Sequence, residues 1–285
     1  MLRAALLLLF AACICPSLHA QDNDEISCYS YRERNPAQTK KLWDGYEISL
    51  GPARNVTETE LACTAAIYNS AGHVVFRTNG FNVVFDQDLT GEDFDGDGKP
   101  DVVFRTDTGG GNHCCWGYVI FSLSPKPHKL FEIAMEGRVD FEKGKDGEMV
   151  IWERVSVPGA FFISMAGRPF AEKVLRVREG KLAEVTPEFC GTKDVRIERD
   201  YLAPEDLKKL ATAGEQGADD NEEIISKLDS RTSQHVFCHE YDEALKDINL
   251  WPPDKREKVI KSLEEAFKDD YPEFVAKLRE VYKKN

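Results

Sequence analysis

Positive charge is scarce in this sequence. Lys and Arg number 37 against 50 Asp and Glu, a net charge of −13, and a chain this acidic is repelled by nucleic acid and by anionic lipid surfaces. Neither is expected as a partner. Beyond the first residues no stretch approaches the roughly 18 apolar residues of a membrane-spanning helix, so no transmembrane segment is expected. No two cysteines form a C-x-x-C pair, which removes zinc ribbons and thioredoxin-type dithiols. The histidines lack metal-ligand spacing: His235 and His239 straddle Cys238 with no companion acid motif. The chain has 285 residues, 42% of them hydrophobic and 31% charged, enough for one or two folded domains with a sizeable core.

The first 20 residues carry their own signature. Arg3 precedes an apolar run over Ala4–Ile14, and Leu18-His19-Ala20 forms a small-residue cleavage site. This is the pattern of a secretory signal, so residues 1–20 are expected to be removed and the chain to be secreted or periplasmic. A lipid anchor at Cys13 is the alternative, with Phe10 poorly suited to it. Two of the eight cysteines lie in that segment, leaving Cys28, Cys63, Cys114, Cys115, Cys190 and Cys238. An even number in an exported chain indicates disulfides, and six cysteines allow 15 pairings. Asn55-Val56-Thr57 is a glycosylation sequon, relevant only in a eukaryotic secretory route.

Two periodicities divide the remainder. Residues 21–200 consist of short alternating or apolar runs, many β-branched or aromatic, at about ten-residue spacing between glycine turns such as Asn79-Gly80 and Asp146-Gly147. The spacing predicts an antiparallel β domain: a sheet, a sandwich or a partial propeller-like arrangement. Strands are expected at Tyr46–Leu50, Leu61–Tyr68, His73–Arg77, Phe81–Phe85, Val102–Arg105, Tyr118–Leu123, Leu130–Met135, Met149–Trp152 and Val174–Val177. Residues 201–285 change to helical spacing, with Val259, Leu263, Phe267 and then Phe274, Leu278, Tyr282 on single faces. Further helices are expected at Asp206–Leu210, Glu222–Leu228 and Glu240–Ile248. The fold class is therefore mainly β with an α-helical C-terminal region, the helices capping the β half rather than offering a groove to a partner.

The acidity is not evenly spread. Residues 86–107 hold eight acids against Lys99 and Arg105, a local charge of −6. Asp93, Asp95, Asp97 and Asp101 stand at relative positions 1, 3, 5 and 9, with Gly98 at position 6. Alternating aspartates let a tight loop turn carboxylates inward, and glycine permits the sharp bend. Carboxylates that close repel unless neutralised, and an oxygen-only donor set suits Ca²⁺ better than Mg²⁺ or zinc. The expected ligands are the side chains of Asp93, Asp95, Asp97 and Asp101 and the carbonyl of Lys99 at position 7. An EF-hand is excluded, because position 12 is Phe104 and a strand-like run, Val102-Val103-Phe104, follows.

The run Asp93-Phe94-Asp95-Gly96-Asp97-Gly98-Lys99-Pro100-Asp101-Val102-Val103-Phe104 resembles the calcium loop of FG-GAP and VCBS-type repeats, as found in integrin-like β-propellers. The resemblance covers residues 85–121 and implies Ca²⁺ bound by the aspartates in a β-hairpin loop. One clear copy is present, without the Phe-Gly and Gly-Ala-Pro elements that name the repeat. Asp140–Trp152 reads as a degenerate second copy and Leu175–Val185 as an outer hairpin of another blade-like unit. At ~40–50 residues per blade the β region holds at most about four, which excludes a seven-bladed ring. A small sheet or sandwich domain with one propeller-type hairpin is expected.

Directly downstream lies Thr108-Gly109-Gly110-Gly111-Asn112-His113-Cys114-Cys115-Trp116. Adjacent cysteines on a strand face opposite ways, so the expected arrangement is two separate bridges to two of Cys28, Cys63, Cys190 and Cys238. A vicinal Cys114–Cys115 disulfide and a free, catalytic thiol are the alternatives. The expected function is an exported, calcium-binding, disulfide-stabilised β protein with a binding or envelope-structural role toward a protein or glycan ligand. A secreted hydrolase or thiol-redox enzyme using His113, Cys114 and Cys115 is a second reading. A calcium-dependent adhesin or glycan binder using one of Trp43, Trp116, Trp152 and Trp251 is a third, although tryptophans in short strands more often fill a core.

Overall fold

A computed structural model describes residues 26–29, 36–53, 63–107, 116–134, 137–159, 161, 169–191, 202–210 and 221–282. The signal segment, the Asn55 sequon and the segment containing Gly109–Gly111, His113, Cys114 and Cys115 lie outside them. The described chain runs through thirteen strands and then into helices. Strand β1 is Ser27–Tyr29. Strands β2 (Gln38–Lys41), β3 (Glu47–Pro52), β4 (Cys63–Tyr68) and β5 (Val74–Gly80) form one antiparallel meander. Strands β6 (Asn82–Phe85), β7 (Asp101–Asp107), β8 (Trp116–Ser122) and β9 (His128–Ala134) form a second, with β1 added beside β6. Strands β10 (Val139–Lys143), β11 (Met149–Ser156), β12 (Phe170–Arg178) and β13 (Lys181–Glu184) form a third. Each meander has the up-and-down, four-stranded connectivity of a propeller blade.

Side-chain alternation stacks the three sheets in chain order. On one face of the second sheet, Val83, Phe85, Val102, Phe104 and Phe121 pack with Ile48, Leu50, Ala65 and Ile67 of the first. On the other, Val103, Ile120, Phe131 and Ile133 pack with Val139, Met149, Ile151 and Leu175 of the third. Strand β7 is therefore covered on both faces, and its Val102-Val103-Phe104 run is fully buried for the reason that makes any doubly covered strand continuously apolar. The expectation of one propeller-type hairpin in a small sandwich thus understates the layering: three sheets stack face to face. Asp140–Trp152 is a true hairpin, β10 against β11, and so is Leu175–Val185, β12 against β13.

The third sheet's far face carries the helices: α1 (Thr186–Phe189), α2 (Pro204–Leu210), α3 (Glu222–Phe237), α4 (Tyr241–Leu250), α5 (Pro253–Phe267) and α6 (Pro272–Tyr282). Helices α2 to α6 share one core, built on Leu228, Val236, Ile248, Trp251, Leu263 and Phe274, which Val157 and Ala171 join from the sheet side. Helix α3 runs nine residues past the expected end at Leu228, because Thr232, Ser233, Gln234 and His235 are polar yet buried. Gln234 explains part of this. Its amide accepts from Glu172 N–H at 2.9 Å and donates to Glu172 C=O at 3.0 Å, occupying β12 where β13 no longer pairs. The helices cap the β half as expected.

The disulfide expectation is corrected. Cys28 pairs with Cys63 and Cys190 with Cys238, so none of these four is available to Cys114 or Cys115. The first bridge ties β1 to β4, and the second ties the segment after α1 to the end of α3.

Candidate metal centre

The acidic loop joins β6 to β7, and its two ends are held by backbone and side-chain bonds. Asp86 N–H donates to Val103 C=O at 3.0 Å, and Val103 N–H donates to Thr90 Oγ1 at 3.0 Å. Gly91 N–H donates to Asp101 C=O at 2.9 Å and Asp101 N–H to Glu92 C=O at 2.8 Å. Between them the chain turns on Gly96 (φ +77°) and Gly98 (φ +80°). Nothing lies within 4 Å of a Cβ at either position, so glycine is needed there for the left-handed backbone and not for space.

Within the turn the aspartates collect the loop's own amides. Asp93 Oδ1 accepts from Gly96 N–H at 2.7 Å and Asp97 N–H at 3.2 Å, and its Oδ2 accepts from Gly98 N–H at 2.8 Å. Asp95 Oδ1 accepts from Asp97 N–H at 3.1 Å. Asp97 Oδ1 accepts from Lys99 N–H at 2.7 Å. Oxygens of Asp93, Asp95 and Asp101 lie within 4.8 Å of one another, whereas Asp97 does not join that convergence. At this separation each carboxylate pair repels by about 3–4 kcal/mol at an effective dielectric of ~20.

Asp101 is the deepest of the three. It is fully buried at the start of β7. Its Oδ2 accepts from Phe94 N–H at 2.8 Å, while its Oδ1 is buried without a hydrogen-bond donor. The neighbouring Ser122 hydroxyl directs its proton to Ser124 C=O at 3.1 Å. Burial pushes the Asp101 carboxyl up to about 7, with the charges of Asp95 and Asp93 adding to the rise and the Phe94 amide and the nearby Ser122 hydroxyl opposing it. Burial also raises Asp95, reinforced by Asp97 and Asp93. A buried acceptor with no partner is costly, and three converging carboxylates with one orphaned oxygen fit a hard, oxygen-preferring divalent cation.

Beside the loop, a cleft of about 380 Å³ separates it from the turn between β10 and β11. Asp93 and Asp95 line it together with acids paired within the chain: Glu92 with Lys143 at 2.6 Å, and Asp146 and Glu148 with Arg176 at 2.9 and 3.2 Å. In the hairpin read as a degenerate second copy, an arginine thus neutralises the acids.

The other candidates separate. Trp152 and Trp251 are core residues, 5% and 1% exposed, and so offer no face to a sugar ring. His235 Nδ1 lies 2.8 Å from Glu240 Oε2 inside the helical region. One residue that matters to the loop has no signal in the spacing of acids: Phe94, between two aspartates, is 3% exposed and sits in the core between the second and third sheets. Its apolar character amid charge was the available clue. No family model, curated protein or solved structure matches the chain. The likeness to FG-GAP and VCBS loops therefore rests on the residues of this loop alone.

Proposed function

We propose that the β6–β7 loop binds one Ca²⁺ through the carboxylates of Asp93, Asp95 and Asp101, with Asp97 and the Lys99 carbonyl completing the oxygen shell, as in the repeats this loop resembles. The observation that carries this reading is Asp101, whose buried carboxylate converges with two others and has one oxygen, Oδ1, without a donor. The ion supplies positive charge where the fold has concentrated negative charge. The chain's own residues position it: Gly96 and Gly98 turn the loop, and the start of β7 fixes Asp101.

The two disulfides are compatible with an oxidising compartment, and no helix among the described residues is long and apolar enough to cross a membrane. With the secretory pattern of residues 1–20 these features support an exported, disulfide-stabilised, calcium-binding β protein with a binding or envelope-structural role. Calorimetric titration of calcium into the wild type and Asp95→Ala tests the reading. One site in the wild type, weakened at least tenfold in the variant, supports it; no binding by the wild type overturns it.

A further inference from the structure

Phe94 stands between Asp93 and Asp95, but its ring leaves the loop. It packs edge-on against Phe131 of β9, with ring centroids 6.1 Å apart, and against Phe141 of β10 at 5.7 Å. Its backbone N–H meanwhile donates to Asp101 Oδ2. One residue is thus bonded to the deepest carboxylate through its main chain and to the third sheet through its side chain. Glu92, one residue before Asp93, adds an ion pair to Lys143 at the end of β10. Strand β10 is the outer strand of the third sheet, and Tyr118 of β8 also meets Phe141 edge-on at 4.8 Å. The loop therefore reaches across to the edge of the third sheet.

We infer that the loop is a cation-dependent latch between the second and third sheets, with Phe94 as its bolt. An ion on Asp93, Asp95 and Asp101 fixes the backbone of residue 94 and holds the β10–β11 hairpin against the second sheet. Without the ion, repulsion among the three carboxylates spreads the loop and draws Phe94 from its pocket. That repulsion is of the same order as the gain from burying one aromatic ring, so the ion decides the balance. The inference rests on the calcium reading and adds a direction to it: metal state is transmitted to the third sheet's edge and not to the whole fold.

Hydrogen–deuterium exchange on the full chain tests the latch, with calcium at about a hundred times its Kd or with excess chelator, and with calorimetry on the same sample. Amides that open only when the ion leaves should exchange up to about 100-fold more slowly with calcium. The expected result is this slowing at residues 93–101 and 139–151, with less than about a threefold change in α5 and α6. Protection of 93–101 alone overturns the latch and leaves calcium binding standing. Equal slowing in α5 and α6 also overturns it, in favour of a staple on the whole fold. Absence of calcium binding by calorimetry overturns the calcium reading and the latch with it. Phe94→Ala keeps the three aspartates and should still bind calcium while losing the effect at 139–151; retention of that effect overturns the role of Phe94. If that variant does not fold, the wild-type pattern decides the question by itself.

Discussion

Phe94 N–H donates to Asp101 Oδ2 at 2.8 Å, joining the second residue of the acidic turn to the first residue of strand β7. This bond holds one oxygen of Asp101 and leaves the other without a donor, in a carboxylate that converges with Asp93 and Asp95. In the proposed calcium site this placement carries a cost to the metal-free protein, and that cost is measurable.

Asp101→Asn should act in opposite directions on binding and on stability. The amide keeps an acceptor for Phe94 N–H and removes the buried charge. Calcium affinity should fall at least 100-fold by titration. In chelator near pH 8 the variant should be more stable than the wild type, by about 2–4 kcal/mol, since one pKa unit corresponds to about 1.4 kcal/mol. Urea unfolding in chelator measures this, and a less stable variant contradicts it.

The pH dependence follows from the same group. The folded, metal-free protein holds the Asp101 proton to about pH 7, against 3.8 for an ordinary aspartate. Between those values the folded state binds more protons than the unfolded state. Stability from this group is therefore complete below about pH 4 and is lost as pH rises through about 7. Calcium takes the place of the proton, so the stabilisation that calcium confers should grow over the same interval. Urea unfolding near pH 5 and near pH 8, with and without calcium, should show a gap that widens by about 2–4 kcal/mol toward the higher pH.

How much of this was legible beforehand differs by element. Strand β7 was readable because burial on both faces leaves an uninterrupted Val102-Val103-Phe104. The short strand β2, Gln38-Thr39-Lys40-Lys41, is polar and solvent-facing or half-buried, so it lacks the hydrophobic alternation that marks a strand, whereas β13 is legible as the return of the Leu175–Val185 hairpin. The end of helix α3 is hidden because buried Thr232, Ser233 and Gln234 read as surface; Gln234 meets β12 at Glu172, and Thr232 returns its hydroxyl to Leu228 C=O. The spacing of the aspartates marks an acidic turn, but convergence belongs to Asp93, Asp95 and Asp101, and loop geometry turns Asp97 toward Lys99 N–H. Cysteine pairing depends on which strands become neighbours, and no local pattern encodes that.

The disulfides should contribute as cross-links of long loops, with sequence separations of 35 and 48 residues. Replacing either pair by alanine should cost about 2–4 kcal/mol by urea unfolding. With these four cysteines paired, only Cys114 and Cys115 remain among residues 21–285, so thiol titration of the denatured, unreduced protein lacking residues 1–20 should find at most two free thiols.

Tyr271, the residue before helix α6, reaches the third sheet through a buried hydroxyl. Tyr271 is 5% exposed and its OH lies 2.7 Å from each oxygen of Glu184 on β13. Burial beside that carboxylate pushes its phenol well above the usual range, so it remains a donor. Tyr271→Phe should destabilise by about 1.5–3 kcal/mol, as expected for a hydrogen bond to a charged group, without altering calcium affinity.

A crystal structure of the full chain grown with calcium tests the metal site most directly. The expected result is one ion with oxygens of Asp93, Asp95 and Asp101 at about 2.3–2.6 Å and Phe94 seated between the second and third sheets. Density without an ion there, with Asp101 Oδ1 still lacking a partner at saturating calcium, would contradict it.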